Sequence, residues 1–281
     1  MATTTDERVL IVNADDFGIA EGVNVGIREA HAAGVVTSTS LLANGAAFDH
    51  AVAIARGTDR VLGIGVHLDF VQGRPLTPAR TLVDASTGRF HPLPALALRA
   101  MLGRVDAEDV LAEATAQIER IRQTGLAITH VDGHRHAHLL PTLWSAVVDA
   151  AANAAIRVVR VPVERGIVRT DLASVLKMQA LRATASVAAL ARPLPRHPDT
   201  FIGLALQGQH HFGVLLLRVL NALPTGTTEL MVHPGHADAS LGAFDSYRWP
   251  REAELRALLS APIRERLLRG DIRLATFATL A

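Results

Sequence analysis

Cysteine is absent from all 281 positions, which excludes disulfides and thiolate metal sites and leaves His, Asp and Glu as the available metal donors. That absence fits a reducing cytoplasm, the expected location. Net charge is almost absent as well, at +1, and no basic stripe is interleaved with aromatics. There is therefore no electrostatic case for nucleic acid as a partner. The opening "MATTTDERVLIV" has no basic segment followed by a long apolar one, so no leader is expected. Long apolar runs are also missing. Arg, Lys, Gln or Pro break each of them well short of about 18 residues, so no transmembrane helix is expected. Core-forming material, by contrast, is plentiful: 49% of residues are hydrophobic and 20% charged. The composition suits one large domain over 1–281, with loop insertions at about 72–104 and 163–199.

Strand-length apolar runs alternate with helical patterns. "RVLIVNA" is β-branched and continuous, as a strand buried on both faces would be. In "AEGVNVGIREAHAAG" Val23, Ile27 and Ala30 recur at helical spacing and Gly34 supplies a stop. "TSTSLLA" and "LGIGVHLDF" read as strands around a helix at "FDHAVAIAR". "DAEDVLAEATAQIERIRQTG" predicts an amphipathic helix, with acids early, Arg late and Gly at its end. "AITHVD" is the next strand, "PTLWSAVVDAAANAA" a helix opened by Pro141, and "IRVVRVP" another strand. "TFIGLAL", "TELMVHP", a helix from about Glu252 to Leu268, and "IRLATFA" complete the series. Repeated β-then-α with about eight strand candidates predicts an α/β fold, a parallel sheet closed into an irregular (β/α) barrel. An open doubly wound sheet is the competing architecture. Gln72–Arg104 holds four prolines and reads as a long loop. Leu172–Ala191 is an apolar helix without an acidic residue, either packed on the barrel or serving as a lid that touches a membrane surface.

The polar residues that stand out all fall at carboxyl ends of these strands. "HVDGHRHAHLLP" packs four histidines and an aspartate into nine positions, so the imidazoles must be kept neutral or held by a positive ion. Asp15 and Asp16 follow the first strand, His67 ends the third, Asp132 and His134 follow the next, and His233 closes "ELMVH". In a parallel barrel these ends share one face, which carries the active site. Asp16, His67 and His134 form a candidate ligand set for a divalent cation, two imidazoles and one carboxylate. A bound cation acidifies its water, Asp15 is placed to take the proton, and His233 to protonate a leaving group. Together they describe hydrolysis of an amide or ester.

Each piece also has a plainer reading. Asp-Asp after a strand is often a turn or cap, and a single His at a strand end is often hydrogen-bonded structure. His134, His136 and His138 share a face only if the backbone there is extended. His31 and His50 lie in helical patterns and are expected at the surface or in grooves, while His210 and His211 are candidates for a substrate entrance.

"LIVNADDFG", "GVHL", "HVDGHRHAH" and "HPG", in that order over nearly the whole chain, resemble the YdjC-like carbohydrate deacetylases. That family includes chitooligosaccharide and hopanoid-biosynthesis-associated deacetylases. The resemblance implies a distorted TIM-like barrel, a divalent ion (magnesium in the usual description, zinc as alternative) and removal of N-acetyl groups from amino sugars. It implies Asp16, His67 and His134 as metal ligands, Asp15 as base and His233 as acid, and it implies homodimers as a common assembly. The stretch after Val163 together with "FIGLALQG" looks closer to the hopanoid-associated branch. The expected substrate is an N-acetylated amino sugar, free or on a lipid, with peripheral membrane contact in the second case. Glycoside hydrolysis by a carboxylate pair, or non-catalytic binding of sugar or metal on the same fold, are the rival readings.

Overall fold

The computed structural model describes residues 7–164, 171–241 and 245–281. The N-terminal residues 1–6 and part of the expected 163–199 insertion, residues 165–170, lie outside the described residues. The first apolar run becomes β1 (Arg8–Phe17), buried along nearly its whole length. It is flanked by β2 (Ser38–Leu41) and by β8 (Gly226–Val232), both parallel to it. β3 (Gly63–Leu68) and β6 (Ile128–Gly133) extend the β2 side, and β7 (Thr200–Ile202) extends the other, giving the order β6-β3-β2-β1-β8-β7. A last short strand, β9 (Arg273–Leu274), joins the beginning of β1.

The two ends of this order meet on one segment. Val159 bridges to Val131 of β6 and Glu164 to Phe201 of β7, with Val158 paired to Arg196 between them. The sheet is therefore a curled, half-barrel form of the (β/α) barrel, and the open doubly wound alternative is set aside. The expected strand "IRVVRVP" survives only as these single bridges. Pro162 lacks a ladder donor, and Arg160 turns its guanidinium inward onto buried carboxylates.

Helices α1 (Glu21–Ala32), α2 (Phe48–Arg56), α3 (Leu93–Met101), α4 (Ala107–Arg122) and α5 (Pro141–Asn153) lie in the first half. They are followed by α6 (Leu172–Ala191), α7 (Phe212–Asn221), α8 (Trp249–Leu259) and α9 (Ala261–Leu267). Asp106 caps α4, accepting from the Glu108 N–H at 2.9 Å, as the early acids foretell. Several expectations are corrected. Residues 72–104 are not one loop: they hold a hairpin of β4 (Val83–Asp84) and β5 (Arg89–Phe90) and then α3. Buried Glu113 of α4 accepts from the Leu76 and Thr77 N–H groups, which anchors the preceding loop. The C-terminal helix is two helices, because Pro262 fits the first turn of α9 but cannot continue α8. The amphipathic α7 escaped notice, although Leu216, Val219 and Leu220 fall at helical spacing and are buried. His31 is buried, with Nδ1 2.8 Å from the Val36 carbonyl, and is no surface residue.

The barrel interior beneath the mouth is polar. Asn13 donates to Ser40 Oγ at 2.8 Å, and Ser40 donates to Asp132 Oδ2 at 2.6 Å. His130 stacks on Phe277 with centroids 3.7 Å apart. Its ring occupies the space above Gly65, where an added Cβ would lie 2.3 Å from the imidazole. Gly65→Ala is expected to lower unfolding free energy by about 1–3 kcal/mol through overpacking, measured by urea titration; a variant as stable as the parent would show that the ring can move aside.

Candidate active site

Consecutive residues of a regular strand point to opposite faces, so Asp15 and Asp16 should not both reach one pocket. A bulge solves this. The pairing of β1 with β2 shifts register between Ala14 and Phe17, and Asp16 has φ 68. A non-glycine residue in the left-handed region is strained by about 1–3 kcal/mol, and here the kink turns both carboxylates into the same cavity.

Asp16 is the focus. Its Oδ1 lies 2.8 Å from His134 Nδ1 and 3.2 Å from His67 Nε2. One donor atom from each of Asp16, His67 and His134 falls within 4.8 Å of the others, all three residues being buried. Each imidazole is fixed from behind. His67 Nδ1 is 2.7 Å from Asp132 Oδ1, and His134 Nε2 is 3.0 Å from Gln72 Oε1. Such backing orients a ring for a metal. A second trio, Asp15, His67 and Asp132, meets the same distance limit. It fits an ion less well, because Asp15 and Asp132 are both committed to Arg160 and Asp132 does not line the cavity.

The electrostatics agree. Burial opposes ionisation of Asp16, yet Arg251 and His134 hold its carboxyl well below the usual range. Burial likewise disfavours charge on His67, but Asp132 and then Asp16 and Asp15 overcome it and push the imidazole up to about 10. The carboxylates thus demand a positive charge at this point, and a divalent cation between Asp16, His67 and His134 would meet that demand. The donor set fits such an ion.

The histidine run resolves into separate tasks. Strand β6 ends at Gly133, and Arg135 and His136 both adopt left-handed backbone, with φ 53 and 57. The three alternate histidines therefore share no face, neither as a strand nor as a regular helix. His134 faces Asp16, and His136 lines the cavity with its Nδ1 unpartnered. His138 turns away, Nε2 3.1 Å from the Arg160 carbonyl. Burial keeps the others neutral, pushing His130 down to about 3, His138 to about 4 and His136 well below the ordinary value.

His233 follows β8 directly and lines the same cavity. Its N–H donates to Glu254 Oε2 at 2.6 Å, and Tyr247 Oη donates to the other oxygen of Glu254 at 2.6 Å. Burial pushes its imidazole down to about 4, against the influence of Asp16 and Asp15. Of the six strand-end residues singled out in the sequence, Asp15, Asp16, His67, His134 and His233 line one cavity of about 410 Å³, and Asp132 stands behind His67; that volume is within the ordinary range for small-ligand sites.

Two arginines escaped the sequence reading. Arg160 grips Asp15 through two hydrogen bonds of 2.6 and 2.7 Å and also reaches Asp132 at 2.9 Å and Glu229 at 2.6 Å. It is one of two arginines in the otherwise apolar run "IRVVRVP", and nothing in the run distinguishes it from Arg157. Arg251 of α8 lies 2.5 Å from both Asp16 and Asp245; nothing in "WPREAELRALL" distinguishes it from a solvated arginine. The helix α6 reaches the cavity through Lys177, which bonds Gln207, and it buries Ala185 and Ala188. Its Leu172, Leu176, Val187 and Leu190 stay exposed. Among the described residues no helix is long and apolar enough to cross a membrane.

The family model described as "YdjC-like protein" matches residues 9–269. A human protein named carbohydrate deacetylase is 34% identical, the alignment covering 96% of this chain and 90% of that one. A chitooligosaccharide deacetylase of Klebsiella pneumoniae is 33% identical over 96% of this chain and 98% of its own length. A crystal structure from Enterococcus faecalis V583, described as a candidate cellobiose-phosphate cleavage protein, superposes with a TM-score of 0.77 at 27% identity, covering 98% of this chain and 99% of that one. With the family model spanning nearly its full length, this chain belongs to the YdjC-like protein family.

Proposed function

We propose that this protein is a metal-dependent carbohydrate N-deacetylase, hydrolysing the acetamide of an N-acetylglucosamine-type sugar to free amine and acetate. The observation that carries the reading is the convergence of Asp16, His67 and His134 within 4.8 Å beside a further carboxylate, Asp15, and a further imidazole, His233. The names of the relatives supply the reaction class.

Asp16, His67 and His134 would hold a divalent cation, which when bound polarises an amide carbonyl and acidifies water. Magnesium is the first candidate on the family likeness, and zinc is the alternative that two imidazole donors favour. Asp15, its carboxylate plane fixed by Arg160, accepts the proton of the attacking water. His233, neutral at rest, lies near the two carboxylates that favour its charged form, and a proton arriving there passes to the departing nitrogen. The lack of cysteine fits the cytoplasmic location this reading assumes, and homodimeric assembly is part of it. The exposed leucines of α6, Leu190 at 88%, support a second reading in which the sugar is carried on a lipid, of hopanoid type among others, and the helix touches the membrane surface.

Mass spectrometry of N-acetylated oligosaccharides and glycolipids incubated with protein and Mg²⁺ or Zn²⁺ is expected to register the loss of an acetyl group. New reducing ends without acetate would instead indicate glycoside hydrolysis, and ligand binding without turnover under any cation a binding protein. Asp15→Asn is expected to keep its metal while kcat falls by about 10²-fold or more, whereas His134→Ala loses metal as well; acetate release undiminished in either variant refutes the assigned roles. Asp132→Asn should weaken cation affinity about 10–100-fold by releasing His67 from its backing group, read by titration calorimetry, and an unchanged affinity would remove His67 from the ligand set. For the lipid-borne reading, wild type should co-sediment with anionic vesicles and a Leu172→Ser, Leu176→Ser, Leu190→Ser variant should not; equal, negligible binding by both discards it.

A further inference from the structure

We propose that Trp249 and His210 form an aromatic subsite at the mouth of the cavity, binding a second sugar ring joined to the acetamido sugar. The proposal rests on the deacetylase reading for the identity of that first sugar. The chain has two tryptophans. Trp144 is fully buried in the core, whereas Trp249 is 49% exposed, an unusual position for so large an apolar surface. The exposed indole is ordered by a partner: the His210 imidazole stacks on it with centroids 4.9 Å apart and planes inclined by 20°. One indole face is thereby covered, and the exposed area is left for a ligand.

Neither side chain lines the cavity itself, but the segments that carry them supply part of its wall. Tyr247 and Arg251, two residues to either side of Trp249, line the cavity, as does Gln207, three residues before His210. The Gly208 N–H donates to Tyr247 Oη at 2.6 Å, which ties the two wall segments together. Pro250, Arg251 and Glu254 face inward from α8, so the indole at its first position points outward. A pyranose offers a face of C–H bonds carrying slight positive charge, and the negative face of an indole attracts it. With a volume of about 410 Å³, the cavity sits at the small end of the range for ligand sites. A trisaccharide outgrows that space, and an exposed indole carried by a wall segment is placed to meet the part that extends beyond it.

Two measurements on the full-length protein decide the matter. Triacetylchitotriose is expected to change the intrinsic fluorescence of the wild type saturably, and Trp249→Ala, which keeps only the buried Trp144, should lose that response. The preference for triacetylchitotriose over N-acetylglucosamine, taken as the ratio of kcat/KM values, should fall about fivefold to tenfold in Trp249→Ala and be largely restored in Trp249→Phe. A preference unchanged in Trp249→Ala, or no fluorescence response in the wild type, overturns the subsite. If the wild type releases acetate from neither sugar, the deacetylase reading fails, while a saturable response lost in Trp249→Ala still upholds the aromatic subsite.

Discussion

Arg160 lies fully buried among Asp15, Asp132 and Glu229, and its charge is what lets three carboxylates share the inside of one small barrel. Without it Asp15 and Glu229 would lose their ion-pair partner and Asp132 would keep only His67 as a charged one, and breaking a buried pair costs about 3–5 kcal/mol. Burial alone disfavours charge on the guanidinium, but the three acids hold it protonated well above even its usual value. The same pairing sets the geometry outward from it. Two bonds to Asp15 fix that carboxylate, and one to Asp132 steadies the group that orients His67. Arg251 plays the corresponding part on the other side of Asp16, tying it to Asp245. The site is thus an alternation of buried charges in which each carboxylate has a cationic or imidazole neighbour.

Backbone irregularity delivers these groups to one place. A smooth β1 would have sent Asp15 and Asp16 to opposite faces, and a smooth continuation of β6 would have kept His134, His136 and His138 together on one face. A bulge in the first and a left-handed turn in the second re-aim them. Strain of this kind persists only where the surroundings over-determine it, and here the surroundings are Arg160, Arg251 and the anchored loop that carries Gln72. That loop is held in turn by Glu113 of α4, while Gln117 donates to the Asp69 carbonyl at 2.7 Å.

Much of the architecture was legible because burial on both faces writes itself as continuous apolar runs, as in "RVLIV", and because capped helices such as α4 announce their ends. The convergence of Asp15, Asp16, His67, His134 and His233 on one cavity was legible for a related reason: the carboxyl ends of parallel strands share one face. Reading failed where structure arose from contacts distant in the chain. The 72–104 stretch looked like a loop because its order comes from α4 carboxylates, and the segment around Arg160 looked like a strand because its inward charge could not be seen. His31 read as a surface or groove residue because its carbonyl partner, Val36, lies outside the helix.

Composition and order along the chain by themselves determined the donor chemistry available, a cysteine-free set of His and Asp, and the βα rhythm that sends them to a common face. Tertiary structure decided which of them meet. Only the folded chain puts Asp16 between His67 and His134, turns His138 away, and brings in Arg160 and Arg251 from segments that carry no motif. The reason is physical: periodicity reports which face of an element is buried, whereas charge pairing and bulged backbone depend on neighbours that the sequence separates by more than a hundred residues.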